Sequence, residues 1–317
     1  MATTRIFFST DLHGSEKCFR KFVNAGKFYS ANVLILGGDI TGKMVIPVID
    51  MGDGTYSCHF QGNERRLKSR EELDNTIKEI RDAGYYHYVS NRKEVDELSL
   101  DKAKVDALFE RLMIESVDHW LQLACERLSG TGIRCYISPG NDDLPAIGEH
   151  LIDQDPVFNP ERKVVRIDDK HEMMTLGHSN RTPWNSPGEA DEDQLERMLE
   201  EMSSKVKDLG NCIFNTHVPP LGTPIDQAPA LDSTFKPIVR GGQVEQTSVG
   251  SSAVRKVIEK YQPLVGIHGH VHESKGIAKV GRTMCFNPGS AYSEGILQGL
   301  LLDLEDGKVK NYLFTSG

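Results

Sequence analysis

Short apolar runs alternate with amphipathic helical segments along most of the chain. The first apolar run covers residues 5–10, a helical pattern follows over 15–28, and a second apolar run covers 32–37. Ser15 stands where a helix N-cap is needed, and the apolar side chains after it recur at helical spacing. A crossover of this length joins parallel strands, so the opening predicts a β–α–β unit and an α/β fold.

The alternation is interrupted between residues 41 and 130. Apolar runs at 45–50 and 56–60 flank a glycine-containing turn and predict a β-hairpin. A charged helical segment covers 69–83, and a long helix with regularly spaced apolar residues covers 101–128. Because that helix restores the earlier alternation of strands and helices, we expect residues from about 44 to 100 to be an insertion. Two interpretations stay open for it, a cap or dimerisation element and a decoration of the fold without such a role.

The second half of the chain combines short strands with two amphipathic helices. One helix is predicted from an apolar stripe that begins at Leu195, includes Val206 and closes at Gly210. The other covers 252–261 and stops ahead of Pro263. Strands are predicted at 163–167, 173–176, 284–287, 297–304 and 309–314. Two stacked sheets flanked by helices accommodate these strands better than one sheet, within a single domain over residues 1–317.

Composition excludes several classes of protein. The chain has 317 residues, of which 38% are hydrophobic and 26% charged, as is typical of a globular protein. Its net charge of −9 argues against a general nucleic-acid surface, although a metal-filled cleft would still attract phosphates. No apolar run approaches the roughly 20 residues that span a bilayer, and the start lacks the apolar stretch of a signal peptide. The six cysteines have no Cys-x-x-Cys spacing, so we expect free thiols and a cytoplasmic protein.

Carboxylate, amide and imidazole side chains recur where the predicted strands end. They occur in Asp11-Leu12-His13, Gly38-Asp39, Gly140-Asn141-Asp142-Asp143, the single His217, and Gly269-His270-Val271-His272. Each follows an apolar run, and the carboxyl ends of strands in an open α/β sheet form the crevice where ligands bind. We therefore predict that these side chains converge on metal ions.

Each motif has an ordinary structural interpretation when it stands alone. An Asp at a strand end is more often a turn former, and a His in an apolar strand, such as His268, is more often a buried core residue. The shared placement of all the motifs favours a metal centre instead. A mixture of Asp, Asn and His favours Mn, Fe, Zn or Co over Mg or Ca, and a bridging carboxylate would join two such ions.

The order of these motifs resembles that of the calcineurin-like metallophosphoesterases. The family pattern is Asp-x-His, Gly-Asp, Gly-Asn-His-Asp/Glu, a later His, and Gly-His-x-His, and the resemblance extends from Asp11 to Asn287-Pro288-Gly289-Ser290. It implies a four-layer α/β/β/α sandwich with two metal ions between the sheet edges. By position, the implied ligands are Asp11, His13, Asp39 and His272 for the first ion, and Asp39, Asn141, His217 and His270 for the second. Asp143 matches the acidic residue that closes the third motif and is expected to orient the ligands.

The third motif departs from the family pattern at Asp142. Many members have a His there, thought to donate a proton, whereas a carboxylate beside two dications stays ionised. Asp142 should also repel a dianionic monoester more than a monoanionic diester. The sequence therefore predicts a phosphodiesterase in which metal-bound hydroxide attacks phosphorus in line. His178 is a candidate replacement acid and Arg181 a candidate phosphate clamp, because both follow a predicted strand.

Other functions remain open at this point. A phosphomonoesterase or protein phosphatase would use the same ligands, and a nuclease is less favoured because the chain lacks a basic stripe. A non-catalytic scaffold of the same fold is a further alternative, but every expected ligand position is filled. The expected partner is a small-molecule phosphoester rather than a nucleic acid or a membrane, and the aromatic insertion would permit a homodimer.

Overall fold

Two six-stranded sheets pack face to face and helices cover their outer faces, which gives a four-layer α/β/β/α sandwich. The computed structural model describes residues 3–305 and 307–317. Its helices are α1 (Glu16–Phe28), α2 (Arg70–Asp82), α3 (Arg92–Ser99), α4 (Lys102–Leu128), α5 (Pro145–His150), α6 (Glu192–Ser203) and α7 (Ser252–Tyr261). Within those ranges, none of the helices combines the length and the apolar character needed to cross a bilayer. The predicted fold class is confirmed.

Most strands of the two large sheets follow the predicted apolar runs. Those of the amino-terminal half are β1 (Thr4–Ser9), β2 (Val33–Gly37), β3 (Val45–Asp50), β4 (Tyr56–Phe60), β5 (Asn63–Leu67), β6 (Tyr86–Asn91), β7 (Arg134–Ser138) and β8 (Val157–Phe158). Those of the carboxyl-terminal half are β9 (Val164–Arg166), β10 (Glu172–Leu176), β11 (Cys212–Thr216), β12 (Gln227–Pro229), β13 (Val239–Arg240), β14 (Gln243–Val244), β15 (Gln246–Ser248), β16 (Val265–Ile267), β17 (Gly276–Val280), β18 (Thr283–Asn287), β19 (Gln298–Glu305) and β20 (Lys308–Ser316).

Parallel strands form the centre of both large sheets. The first sheet has the order β20-β19-β1-β2-β7-β8, and β1, β2 and β7 are parallel neighbours, which confirms the β–α–β unit. The second has the order β17-β18-β16-β11-β10-β9, with β10, β11, β16 and β18 parallel. The carboxyl ends of each parallel set therefore lie along one edge, and the motif loops begin there.

The central strands are buried on both faces, which explains their continuous apolar runs. Along β1, Ile6 and Phe8 face the second sheet, whereas Phe7 faces the helices. Helices α1 and α4 cover the first sheet, and between them Phe19 stacks on Trp120 with ring centroids 4.2 Å apart. Helices α6 and α7 cover the second sheet in the same way.

Helix boundaries follow the predicted signals with one correction. Helix α1 begins after Ser15, whose hydroxyl accepts a backbone N–H of the first turn, and α7 covers the predicted residues. The helix predicted to close at Gly210 ends at Ser203 instead. Beyond it, the backbone N–H of Lys207 donates to the carboxylate of Glu172 at the start of β10, so the chain leaves the helix to join the second sheet.

The segment between β2 and α4 contains a separate four-stranded sheet of order β5-β4-β3-β6. The predicted hairpin is present as β3 and β4, and the predicted charged helix as α2. Sequence reasoning missed β5 and the parallel pairing of β3 with β6. Val48, Phe60 and Leu73 belong to a small core of its own. Its role as a cap or dimerisation element stays a prediction.

Three glycines join this small sheet to loops that leave the first large sheet. Gly14 follows β1, Gly42 follows β2 and Gly84 precedes β6, and their backbones lie in contact. A Cβ at Gly84 would overlap the backbone oxygen of His13, so only glycine is accommodated there. The small sheet is therefore held directly against the loop that carries His13.

Replacing Gly84 by alanine should destabilise the protein more than the same change at Gly52. The two residues have φ values of 88° and 78°, so both variants carry left-handed backbone strain of about 1 kcal/mol. Only the Gly84 variant adds an overlap, for which we expect a further ~1–3 kcal/mol, because the space around Gly52 is open. Urea unfolding measures both losses, and equal losses would mean that the loops separate at little cost.

Candidate metal centre

Five loops bring the motif side chains to one edge of the sandwich. Asp11, Asp39 and Asn141 follow β1, β2 and β7 of the first sheet, while His217 and His270 follow β11 and β16 of the second. Because neighbouring strands run parallel, their carboxyl ends lie side by side and the loops meet between the two sheets. This is the crevice that the sequence analysis predicts.

The loops hold several of these residues in left-handed backbone conformations. The φ angles of Asp11, His13, Asp39 and His270 are 55°, 40°, 51° and 67°. Such values are uncommon outside glycine and concentrate at functional sites. Backbone hydrogen bonds fix them, since the N–H of Asp11 donates to the carbonyl of Gly38 at 3.0 Å and that of His13 to Asp39 at 2.9 Å. The side chains are therefore directed before any ligand binds.

The side chains form two adjacent groups of three and a third that overlaps both. Asp11, His13 and His272 make up the first group, Asp39, His217 and His270 the second, and His13, Asp39 and Asp142 the third, and in each the potential ligand atoms lie within 4.8 Å of one another. His217 connects the groups, because its Nε2 is 3.4 Å from Asp39 Oδ2 and 3.8 Å from Asp11 Oδ1. Within the first group, Asp11 Oδ1 lies 3.3 Å from His272 Nε2.

The polar atoms of this cluster are better matched to metal ions than to one another. Nε2 of His13 and Nε2 of His272 are 3.1 Å apart, so either a proton carried by one of the two rings or a metal ion must lie between these nitrogens. The buried Nδ1 of His13 and Nε2 of His217 have no hydrogen-bond partner within the described residues. Asn141 directs its amide oxygen towards His270, 2.8 Å from Nδ1. Unpaired buried polar atoms are costly, whereas this mixture of nitrogen and oxygen donors suits divalent transition metals.

His217 shows the demand for positive charge most directly. Its Nδ1 lies 2.9 Å from the carbonyl oxygen of Gly37, so Nδ1 carries a proton and donates it. Nε2 then faces the carboxylates of Asp39 and Asp11, and a proton or a metal ion must lie between them. Burial lowers the pKa of His217, but the two carboxylates outweigh it and raise the pKa to about 10. A proton thus substitutes for a cation wherever a cation is not bound.

His13, His270 and Asp11 are in the protonation states that bind metals. His272 differs, because burial lowers its pKa but the hydrogen bond to Asp11 and the charges of Asp11 and Asp39 outweigh burial and raise it. Burial lowers the pKa of His13 and of His270 to about 4, so both imidazoles keep a lone pair at neutral pH. Burial raises the pKa of Asp11. The charge of His217 and the hydrogen bond from His272 lower that pKa by a larger amount, so its net shift is downward. Neutral imidazoles and ionised carboxylates are the ligand forms that metals require.

Asp143 holds two of the loops in place. Its carboxylate accepts hydrogen bonds from the backbone N–H groups of Ile40 at 3.0 Å, Thr41 at 2.8 Å and Gly140 at 2.7 Å, and from the hydroxyl of Thr41. These bonds join the loop after β2 to the loop after β7. Burial and then the charge of Asp39 raise the pKa of Asp143 to about 6. The orienting role predicted from the sequence stays a prediction, with which these contacts are compatible.

Asp142 is partly exposed beside the cluster, with partners that sequence reasoning missed. Its backbone N–H donates to Asp39 Oδ1 at 3.0 Å. Its carboxylate pairs with the ammonium of Lys43 and accepts a hydrogen bond from the hydroxyl of Ser186. In the sequence Lys43 follows a Thr-Gly pair and Ser186 lies in an irregular loop, so neither position gives a signal.

Three other candidates have partners outside the cluster. His178 Nδ1 lies 3.6 Å from the carboxylate of Glu161, and Arg181 Nε lies 2.9 Å from that of Asp191. The buried His268 directs Nδ1 to a backbone oxygen of β11 at 2.9 Å, as expected of a core residue. Among the residues that the structure describes, neither His178 nor Arg181 pairs with a cluster side chain. Their predicted roles as acid and phosphate clamp stay predictions without support from these contacts.

Comparisons with known proteins agree with this fold. No protein-family model matches the chain. An uncharacterised protein of Methanocaldococcus jannaschii, MJ1162, is 33% identical over 152 residues, which are 47% of this chain and 61% of that relative. One solved crystal structure aligns over 100% of this chain and 99% of its own chain, with 17% sequence identity and a TM-score of 0.58. TT1561 of Thermus thermophilus aligns over the same shares at 12% identity and a TM-score of 0.54. These structures show likeness of fold, and the chain matches less than two thirds of the length of MJ1162.

Replacing Asp143 by asparagine should lower the free energy of unfolding by about 2 kcal/mol and weaken metal binding ~10–100-fold. An amide NH₂ would face backbone N–H groups in place of an oxygen that accepts from them. Urea unfolding and titration calorimetry with Mn²⁺ measure the two effects. Asp96→Asn, an exposed site on α3, is the matched control. Unchanged metal affinity in Asp143→Asn would mean that the loops keep their positions without this carboxylate.

Divalent metal should stabilise the wild-type protein, by about 2.7 kcal/mol when the free metal reaches 100 times its Kd. His217→Ala removes the imidazole that faces both carboxylates and should weaken metal binding by more than ~100-fold. His59→Ala, on the exposed face of the small sheet, should behave as wild type. Thermal unfolding with Mn²⁺ or Zn²⁺ measures these changes. A wild-type midpoint that no metal shifts would contradict a metal centre.

Proposed function

We propose that this chain is a metal-dependent phosphoester hydrolase that uses two metal ions and prefers phosphodiesters. The observation that carries the proposal is the pair of adjacent ligand groups, with His217 facing a carboxylate of each. Two ions about 3.5–4 Å apart suit an in-line displacement at phosphorus. The motif order, which resembles that of the calcineurin-like metallophosphoesterases, supports the same reaction class.

The ligands divide between the ions by position. Asp11, His13, Asp39 and His272 would hold one ion, and Asp39, Asn141, His217 and His270 the other. When bound, the ions would supply water with a lowered pKa and would neutralise charge on the phosphoryl oxygens. The donor mixture favours Mn, Fe, Zn or Co.

The chain itself contributes buried ligands and a partly exposed side. Asp11, Asn141 and Asp39 are buried, so water does not compete for their oxygens. The side chains of Asp142, Lys43 and His272 are 21%, 50% and 29% exposed, so the cluster meets solvent beside them. A substrate would therefore approach past these residues.

Charge at this open side supports the diester preference. Asp142 puts a carboxylate where a phosphate would enter. Repulsion grows with the charge of the substrate, so a dianionic monoester is disfavoured more than a monoanionic diester. The adjacent Lys43 offsets one negative charge.

Apo-protein reconstituted in turn with Mn²⁺, Zn²⁺, Fe²⁺ or Mg²⁺ should hydrolyse the diesters bis(p-nitrophenyl) phosphate and a cyclic nucleotide in preference to the monoesters p-nitrophenyl phosphate and a phosphopeptide. Asp39→Asn should lose more than ~100-fold in kcat/KM, because Asp39 belongs to both proposed ligand sets. Asp53→Asn, in the exposed turn of the small sheet, should retain wild-type rates.

Each contrary outcome identifies a different function. Faster turnover of monoesters or phosphopeptides would indicate a phosphomonoesterase or protein phosphatase on the same ligands. Metal binding without turnover of any substrate would indicate a scaffold. Activity that survives Asp39→Asn would place the reaction elsewhere in the chain.

A further inference from the structure

We infer that Lys43, held in place by Asp142, binds the non-bridging oxygens of the phosphoester, and that the pair makes the site selective for a singly charged phosphate. The inference deepens the proposed function and rests on it. Lys43 is a substrate-binding residue here, because its ammonium would contact the phosphate without exchanging a proton with it.

The ammonium of Lys43 lies beside the ligand cluster. Lys43 Nζ pairs with Asp142 Oδ2, and a carboxylate oxygen of Asp142 lies within 4.8 Å of the ligand atoms of His13 and Asp39. The ammonium is thus one hydrogen bond away from the cluster, on its exposed side. Phosphate oxygens held by the cluster would lie within its reach, and charge-assisted hydrogen bonds to phosphate are among the stronger ones.

The backbone of Lys43 is fixed by the residues before it. Asp143 accepts hydrogen bonds from the N–H and hydroxyl of Thr41, and the N–H of Gly42 donates to the phenol oxygen of Tyr86 at 2.8 Å. Gly42 also lies against the backbone of Gly84. The small inserted sheet therefore helps to aim Lys43, which gives that segment a part in substrate binding.

The carboxylate of Asp142 is fixed as well. It accepts from Ser186 Oγ and from the amide nitrogen of Asn141 at 3.1 Å, while its backbone N–H donates to Asp39. A carboxylate held at so many points cannot swing away, so it keeps the ammonium in one place. Arg181, the cation that the sequence predicts for this task, pairs instead with Asp191.

The charge of the pair gives the selectivity. The carboxylate and the ammonium together carry no net charge. The ammonium can therefore donate hydrogen bonds to Asp142 and to one further negatively charged group at modest cost. A second negative charge on the substrate would meet the carboxylate without compensation. A phosphodiester carries one negative charge, which matches the pair.

The test measures substrate binding, metal binding and turnover separately. Lys43→Ala should weaken the binding of inorganic phosphate to the metal-loaded protein and raise the KM for bis(p-nitrophenyl) phosphate, each by about 10- to 100-fold. Lys43→Arg should restore most of both, because guanidinium also donates to phosphate. The affinity for Mn²⁺ should stay within about threefold of wild type. Lys93→Ala, exposed on α3, is the matched control and should change nothing.

Selectivity and leaving-group dependence supply two further readouts. Asp142→Asn should raise monoester turnover relative to diester turnover at least ~10-fold, because the repelling charge is gone. Lys43→Ala should lower the rate of hydrolysis by the same factor for every member of a series of aryl phosphodiesters, whatever the pKa of the leaving group. A loss confined to poor leaving groups would make Lys43 a proton donor and overturn the inference.

Other outcomes also decide the matter. Wild-type phosphate affinity in Lys43→Ala would overturn the inference, and so would a parallel loss of Mn²⁺ affinity, which would assign Lys43 to the metal centre. Absence of turnover by the wild type with every metal would overturn the proposed hydrolase instead. The comparison of phosphate binding between wild type and Lys43→Ala by calorimetry would still decide the role of Lys43.

Discussion

Buried negative charge at Asp11 and Asp39 is the constraint on which the rest of this structure depends. Their side chains are 1% and 4% exposed, and two adjacent carboxylates cannot stay ionised in such a place without compensating positive charge. Two of the surrounding imidazoles supply little of it, because burial lowers the pKa of His13 and His270 to about 4, whereas the hydrogen bond to Asp11 and the nearby carboxylates raise the pKa of His272. His217 gains a proton, but one proton cannot bind to all the nitrogen and oxygen lone pairs that face one another in the cluster. Divalent cations satisfy the whole set at once.

The loop of residues 39–43 connects the buried carboxylate cluster to the rest of the fold. Asp39 enters the cluster, and Thr41 is held by Asp143, which also fixes the loop after β7. Gly42 lies against the small inserted sheet, and Lys43 turns outward to Asp142. Each residue of this short loop therefore has its own contact, and a shift of the loop would disturb the ligands, the inserted sheet and the open side together.

Much of the fold was predictable because its central strands and helices carry strong periodic signals. Helix α7 covers the predicted residues, and the order of the motifs placed the cluster at the strand ends. The short strands β12 to β15 escaped prediction because they are polar and held by few backbone bonds. Lys43 escaped because a lysine after Thr-Gly is typical of any surface turn. His178 and Arg181 follow a strand as the motif residues do, but position along the chain does not reveal that they face Glu161 and Asp191.

The ion pair with Lys43 gives a physical explanation for the aspartate at position 142, where many proteins with these motifs have a histidine. A His at this position, as in the proteins that the motifs resemble, would offer at most one positive charge and a proton. Asp142 with Lys43 offers no net charge, but it holds an ammonium at a fixed place on the exposed side. In the proposed hydrolase, the buried ligands would determine which metals bind and therefore which chemistry is available, whereas the exposed pair would determine which phosphate charge is accepted. Asn141, a proposed metal ligand, and Asp142, a member of the exposed pair, are neighbours in the sequence. A substitution at Asp142 can therefore change the charge that a substrate meets on entry without replacing a proposed metal ligand.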